Sequence, residues 1–157
     1  MNNPVYPEVN APENLPDLFI DYWNKRDARG IASLFAKDAG FVNVVGLWWH
    51  NRQAIYKAHE YGLRVIFNRS HLELRQKKVR HLTEDVVLIH ARMKLSGQTG
   101  LGIVAQGAPR FTIFTFVICR TGNAWLCAAA HNTDVVPGKE TNLIDPENGI
   151  QPADYRQ

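Results

Sequence analysis

Histidine, asparagine and arginine are the residues in this chain placed to move or hold a proton inside a fold. His59 follows Ile55 by one helical turn, in a segment where Ile55, Ala58, Gly62 and Ile66 recur at helical spacing. Its imidazole therefore lies on the inner stripe. There it can act as a general acid or base, or sit as a neutral core group bonded to a partner. His131 and Asn132 fall in a strand-like run, where neighbouring side chains point to opposite faces. Trp125, Cys127, Ala129 and His131 share one face, and Ala128, Ala130 and Asn132 share the other. We expect His131 to face the interior, with Asn132 in its place if the register is reversed. His90 and Arg92 share a face of another alternating run. An arginine among apolar neighbours suits an anionic or carbonyl group, or pairs with a carboxylate such as Asp21 or Asp38. Asn43 cannot take a proton from carbon at neutral pH, but it can hydrogen-bond a carbonyl. Tyr22 and Trp49 are expected on a pocket wall, with polar tips available to a ligand; plain core packing is the alternative. The catalytic set expected is thus His59, His131 and Asn43, and the ligand-binding set is Tyr22, Trp49, Arg92, His90 and Asn132. An acid–base enzyme requires the first three to converge on one cavity.

These residues must be positioned by helices first and strands afterwards. Pro4, Pro7 and Pro12 make residues 1–14 an irregular arm. Pro16 and Asp17 suit the first turn of a helix over 16–26. A second short helix is expected over 29–37 and a strand over 41–45. Asn51 is a plausible N-cap for a third helix reaching residue 67. Four alternating segments follow at 71–81, 85–95, 110–120 and 123–134. Residues 83–85 and 121–123 read as tight turns. Residues 96–109 form a glycine-rich link, and 137–157 an irregular tail. Helices followed by consecutive strands give an α+β domain over 15–136, with the helices on one face of an antiparallel sheet.

Composition narrows the function classes. The chain has 157 residues, enough for one domain with its own core. Net charge is +3 and the pI is about 9.0, but the cations are scattered apart from Arg75, Lys77, Lys78 and Arg80. That cluster reads as a solvated strand face, so no nucleic-acid partner is expected. From Val86 to Thr133 there is no Asp or Glu, so the sheet side of any pocket suits a neutral or anionic ligand. The apolar run 111–119 is too short for the roughly 20 residues of a membrane span. The opening residues lack the basic and apolar regions of a secretory signal. Cys119 and Cys127 are therefore expected reduced, in a cytoplasmic protein. No CxxC, HExxH, GxSxG or P-loop pattern occurs. Gly97, Gly100 and Gly102 do not sit at a strand-to-helix turn, which excludes a dinucleotide loop. His59, His90 and His131 have no spacing that forces a zinc site. No cofactor and no metal are expected.

The order helix, helix, short strand, helix, four long strands resembles the nuclear-transport-factor-like, or cystatin-like, cone superfamily. That superfamily includes ketosteroid isomerase and the SnoaL polyketide cyclases. The segment FAKDAGFVNVVGLWWHNRQAIYKAH, residues 35–59, resembles a signature of the small SnoaL-like, SgcJ/EcaC-type branch. Trp125 with His131–Asn132–Thr133 resembles that branch's last strand. The resemblance implies a strongly bent sheet wrapped around three helices, a conical pocket open at one end, and a homodimer paired through the outer face of the sheet. Against ketosteroid isomerase, Asn43 falls where its aspartate base stands and Phe19 where its tyrosine stands. Its later-strand acid has no counterpart within 86–133. The function expected is a small-molecule pocket for an apolar, carbonyl-bearing ligand, with cofactor-independent acid–base chemistry of the isomerase, cyclase or hydratase class. The alternative is a non-catalytic binding or dimerisation module.

Overall fold

The computed structural model describes residues 4–156. Four long strands make the frame: β3 (His71–His81), β4 (Val86–Ser96), β7 (Arg110–Thr121) and β8 (Ala124–Asp134). β4 and β7 alternate buried and more exposed positions, as half-buried strands must, β8 does so on either side of one irregularity, and β3 is mostly exposed with Leu72 buried. They pair antiparallel in the order β8-β7-β4-β3. β1 (Phe35–Val42) then adds to β8, and the short β2 (Trp48–Trp49) adds to β1. The β1–β8 pairing is parallel, so the sheet is mixed where an antiparallel one was expected. The two strands are remote in sequence, and no local turn sets their relative sense.

The helices α1 (Leu15–Asn24), α2 (Ala28–Ser33) and α3 (Arg52–Arg64) lie on one face of this sheet. Pro16 and Asp17 open α1, which buries Leu15, Phe19, Tyr22 and Trp23. Arg26 ends the run in the left-handed region at φ 60°. Its guanidinium donates to the carbonyls of Trp23 (2.7 Å), Asn68 (2.9 Å) and Ser70, tying α1 to the loop before β3. Asp27 caps α2 by accepting from the Gly30 amide at 2.8 Å. A side chain at Gly30 would meet the Tyr22 ring at 2.4 Å, so the close approach of α2 to α1 there requires glycine. Asn51 caps α3 through Ala54 N at 2.8 Å, and α3 turns Ile55, His59 and Leu63 inward.

Several boundaries differ from expectation. β1 begins at Phe35, inside the segment read as the second helix. Residues 96–109 contain a small hairpin, β5 (Thr99–Leu101) with β6 (Val104–Gln106). The tail is not irregular: β9 (Thr141–Asp145) and β10 (Gly149–Ala153) pair as a hairpin. The arm is tied to the domain by Val9, buried and accepting from Trp125 N at 2.9 Å, and by Tyr6, whose hydroxyl donates to Asp27 Oδ1 at 2.8 Å; residues 1–3 of the expected arm lie outside the described residues. Among the described residues, no helix is long and apolar enough to cross a membrane.

Candidate functional site

Between α1, α3 and the inner face of the sheet lies a cavity of about 110 Å³. Phe19, Trp23, Phe41, Trp49, Phe67 and Phe114 give it aromatic walls. Its polar lining consists of Asn43, His59, Arg110, Thr112 and Asn132. That space is partly open to solvent and holds several waters or one small organic molecule.

α3 places His59 at the centre of the helical wall. Its residue exposure is 7%, and the rings of Phe19, Trp23, Phe41 and Trp49 stand 5.5 to 6.2 Å from its own. Nδ1 lies 2.8 Å from Ile55 O. A carbonyl only accepts, so Nδ1 carries the proton and Nε2 keeps a lone pair. Burial in this apolar cage pushes the pKa down to about 4, opposed by the Ile55 hydrogen bond. His59 is a neutral imidazole at neutral pH.

Asn43 also lines the cavity, at the end of β1. Its Oδ1 accepts from Val45 N (3.1 Å) and Leu47 N (2.9 Å), which sets the β1–β2 turn. Two backbone donors fix the amide orientation, leaving Nδ2 as the group able to serve a ligand. Trp49 forms wall, its ring 5.3 Å from that of Phe41. Asn132 points inward from β8.

The other sequence-selected residues lie elsewhere. His131 is exposed on the outer face of β8. The reason is a bulge: Val117 pairs with Ala129 and Ile118 with Cys127, leaving Ala128 unpaired. Simple alternation from Trp125 and Cys127 therefore fails at Ala128, and Ala130 and Asn132 turn inward instead. His90 is exposed, and Arg92 sits on the outer face over the Phe111 ring at 5.1 Å. His90 and His131 both pair with Thr115, so all three lie in one row across the sheet's exterior. Tyr22 is buried behind the cavity against Tyr6 and Gly30. The convergence expected of Asn43, His59 and His131 is thus reduced to Asn43 and His59. Among the described residues, no cluster of three His, Cys, Asp or Glu is placed to hold a metal.

Sequence reasoning missed Arg110 and Thr112. They alternate with Phe111 and Ile113 at the start of β7, and the register with Phe114 and Phe116 would have placed them inside. Asp134, one residue past the acid-free stretch, stands opposite Thr112 with Oδ1 3.6 Å from Arg110 Nε.

No protein-family model matches the chain, and no curated protein matches it either. Solved structures do. An uncharacterised protein with a cystatin-like fold from Caulobacter vibrioides superposes with a TM-score of 0.72 at 25% identity, covering 78% of this chain and 86% of that one. A putative scytalone dehydratase from Novosphingobium aromaticivorans gives 0.67 at 10% identity, covering 79% and 81%. A ketosteroid isomerase-like protein from Erwinia carotovora gives 0.66 at 9% identity, covering 80% and 94%.

Proposed function

We propose that this chain, a cystatin-like cone of the nuclear-transport-factor-like kind, binds a small apolar carbonyl compound and uses His59 to move a proton on it. The observation that carries the reading is the cavity itself, where one neutral imidazole stands in an aromatic cage with its Nε2 lone pair available. His59 and Arg110 are the two titratable side chains in its lining. In the proposed step, Nε2 takes a proton from the carbon beside the carbonyl, and the released electron pair moves onto the carbonyl oxygen. Asn43 Nδ2 is the donor for that oxygen. The imidazolium then returns the proton to the neighbouring unsaturated carbon, which is an isomerisation, or to a departing hydroxyl, which is a dehydration. No cofactor is needed for either. Two solved neighbours, the ketosteroid isomerase-like protein and the putative scytalone dehydratase, fit this reaction class. The cavity volume favours a single ring over a fused four-ring body.

The test is solvent deuterium exchange. Incubation of 3-cyclohexenone in D2O with the protein should label the carbon beside the carbonyl faster than buffer alone, and His59→Gln should remove the acceleration. Binding without exchange would make the protein a carrier rather than a catalyst.

A second reading, a dimerisation module, is favoured by the exterior of the sheet. Ile113, Val117 and Leu88 lie there among Lys78, Arg80, Arg92 and Lys94. The β9–β10 hairpin leaves its paired Ile144 and Ile150 at 73% and 64% exposure, beside Glu140, Asp145, Glu147 and Asp154. An apolar, acidic hairpin and an apolar, basic sheet face suit a homodimer. Light scattering after size exclusion should give twice the chain mass, and Ile113→Asp should halve it. A wild-type monomer at high concentration would remove this reading.

A further inference from the structure

The sheet side of the cavity holds four buried polar atoms without a hydrogen-bond partner among the described residues: Arg110 Nε, Thr112 Oγ1, Asn132 Oδ1 and Asp134 Oδ1. Native proteins satisfy roughly 90% or more of such groups, so four together mark a place where something else supplies the partners. They are neighbours by register. Thr112 stands opposite Asp134 and Phe114 opposite Asn132, with Arg110 two residues before Thr112 on the same face. Arg110 and Asp134 do not satisfy each other, because 3.6 Å is an ion-pair distance and not a hydrogen bond. None of the four atoms has surface open to water, in bulk or in the cavity, so a ligand reaches them as these side chains turn toward it. Arg110, Thr112 and Asn132 line the cavity, and Asp134 stands behind the guanidinium.

The requirements are complementary. Arg110 Nε–H needs an acceptor, Asn132 Oδ1 needs a donor, and the Thr112 hydroxyl rotates to give or take. We infer that this wall reads a paired group: a carbonyl oxygen with an N–H or O–H on the adjacent atom, as in a primary carboxamide or a hydroxyketone. The inference rests on the proposed small-molecule pocket and names the end of the ligand that faces the sheet. The reacting carbonyl stays with Asn43 and His59, so the paired group is a second polar end of the ligand, and the aromatic cage takes the apolar body between them. A ligand bearing only a carbonyl leaves Asn132 Oδ1 unsatisfied. A purely apolar ligand leaves the whole wall so.

Benzamide, acetophenone and toluene test this, because they share a ring and differ in the end group. Benzamide presents both donor and acceptor, acetophenone an acceptor, and toluene neither. Transfer from water disfavours benzamide most, so a preference for it must come from the wall. Titration of the full chain, followed by amide NMR shifts and calorimetry, should give benzamide about tenfold or more over acetophenone, equivalent to ~1.4 kcal/mol. Asn132→Leu and Thr112→Val should each remove most of that preference while toluene binding persists, which also shows that the variants are folded. Equal binding of all three would overturn the inference and leave the pocket standing. A preference for benzamide unchanged in both variants would overturn the assignment to this wall. No binding by any of them would remove both this inference and the pocket reading.

Discussion

The inner surface of the sheet has two halves that share strands but not chemistry. Toward one end, Phe116 and Ile118 of β7 stand opposite Ala130 and Cys127 of β8, and all four are buried. Toward the other, Thr112 of β7 stands opposite Asp134 of β8, with Arg110 and Asn132 on the same face, and each of the four carries a buried polar atom without a hydrogen-bond partner among the described residues. Between them Phe114 and Phe116 stack at 5.3 Å and 7°. The first half resembles any close-packed interior. The second keeps open space and unmet hydrogen bonds in the same place. Close packing is therefore concentrated at one end of the inner surface and unmet hydrogen bonds at the other.

The largest test of this contrast is a truncation at each end. Phe116→Ala empties a fully buried site and should destabilise by about 3–5 kcal/mol. Asn132→Leu removes an unsatisfied amide oxygen and should shift stability by about 1 kcal/mol or less. Denaturant unfolding of both variants measures the difference. Equal losses would mean that the open half is packed as tightly as the closed one.

The pH dependence should come next in size. The pKa of His59 is depressed from its ordinary 6.5 to about 4 by burial. The unfolded chain then binds more protons than the folded one between those values, so stability falls as the pH descends from about 6.5 through 4. The full effect is about 3 kcal/mol at the acid end. Carboxylates contribute over part of the same range, so the readout is the difference between wild type and His59→Leu. That difference should vanish above pH ~7 in its pH slope. Parallel profiles for the two proteins would show that His59 is solvated, and so not caged.

Much of the frame was legible because it rests on local signals. The long strands alternate, Gly122 at φ 63° makes the expected tight turn, and Asn51 caps α3. The inward position of His59 follows from helical spacing alone. What was not legible depends on pairing between distant segments. The bulge at Ala128 exists because of how β8 lies against β7 and β1, and one inserted residue moved His131 out and Asn132 in. Arg110 looked like a scattered surface cation until its register opposite Leu95 placed it beside the cavity. The parallel β1–β8 pairing and the tail hairpin are likewise long-range or solvent-exposed arrangements, with no buried periodicity to announce them.

A smaller effect links the helical wall to the cavity. Asn51→Ala removes the cap of α3 and should cost about 1 kcal/mol. The fraying should reach Ile55, whose carbonyl holds His59 Nδ1. Hydrogen exchange should then rise at Ala54 and Ile55 with little change at Phe116. A uniform rise over the whole chain would instead mean that the two ends unfold as one unit.

The smallest effect carries the most information about the open half. Replacing a satisfied buried hydroxyl by a methyl group normally destabilises, because a partner is left unmatched. Among the described residues Thr112 Oγ1 has no partner to leave. Thr112→Val keeps the shape and the β-branching that suits a strand, and removes a desolvated polar atom. The variant should therefore be as stable as the wild type, or more stable by up to about 1 kcal/mol. The same exchange at a satisfied site such as Ser70, whose hydroxyl joins Trp23 Nε1 (3.0 Å) to Phe67 O (2.8 Å), should go the other way when serine becomes alanine. Opposite signs for these two substitutions would show that the wall around Thr112 is kept polar for something other than folding. A loss at Thr112 as large as that at Ser70 would place a bound water or a protein partner on its hydroxyl, and the two halves of the inner surface would then differ in shape alone.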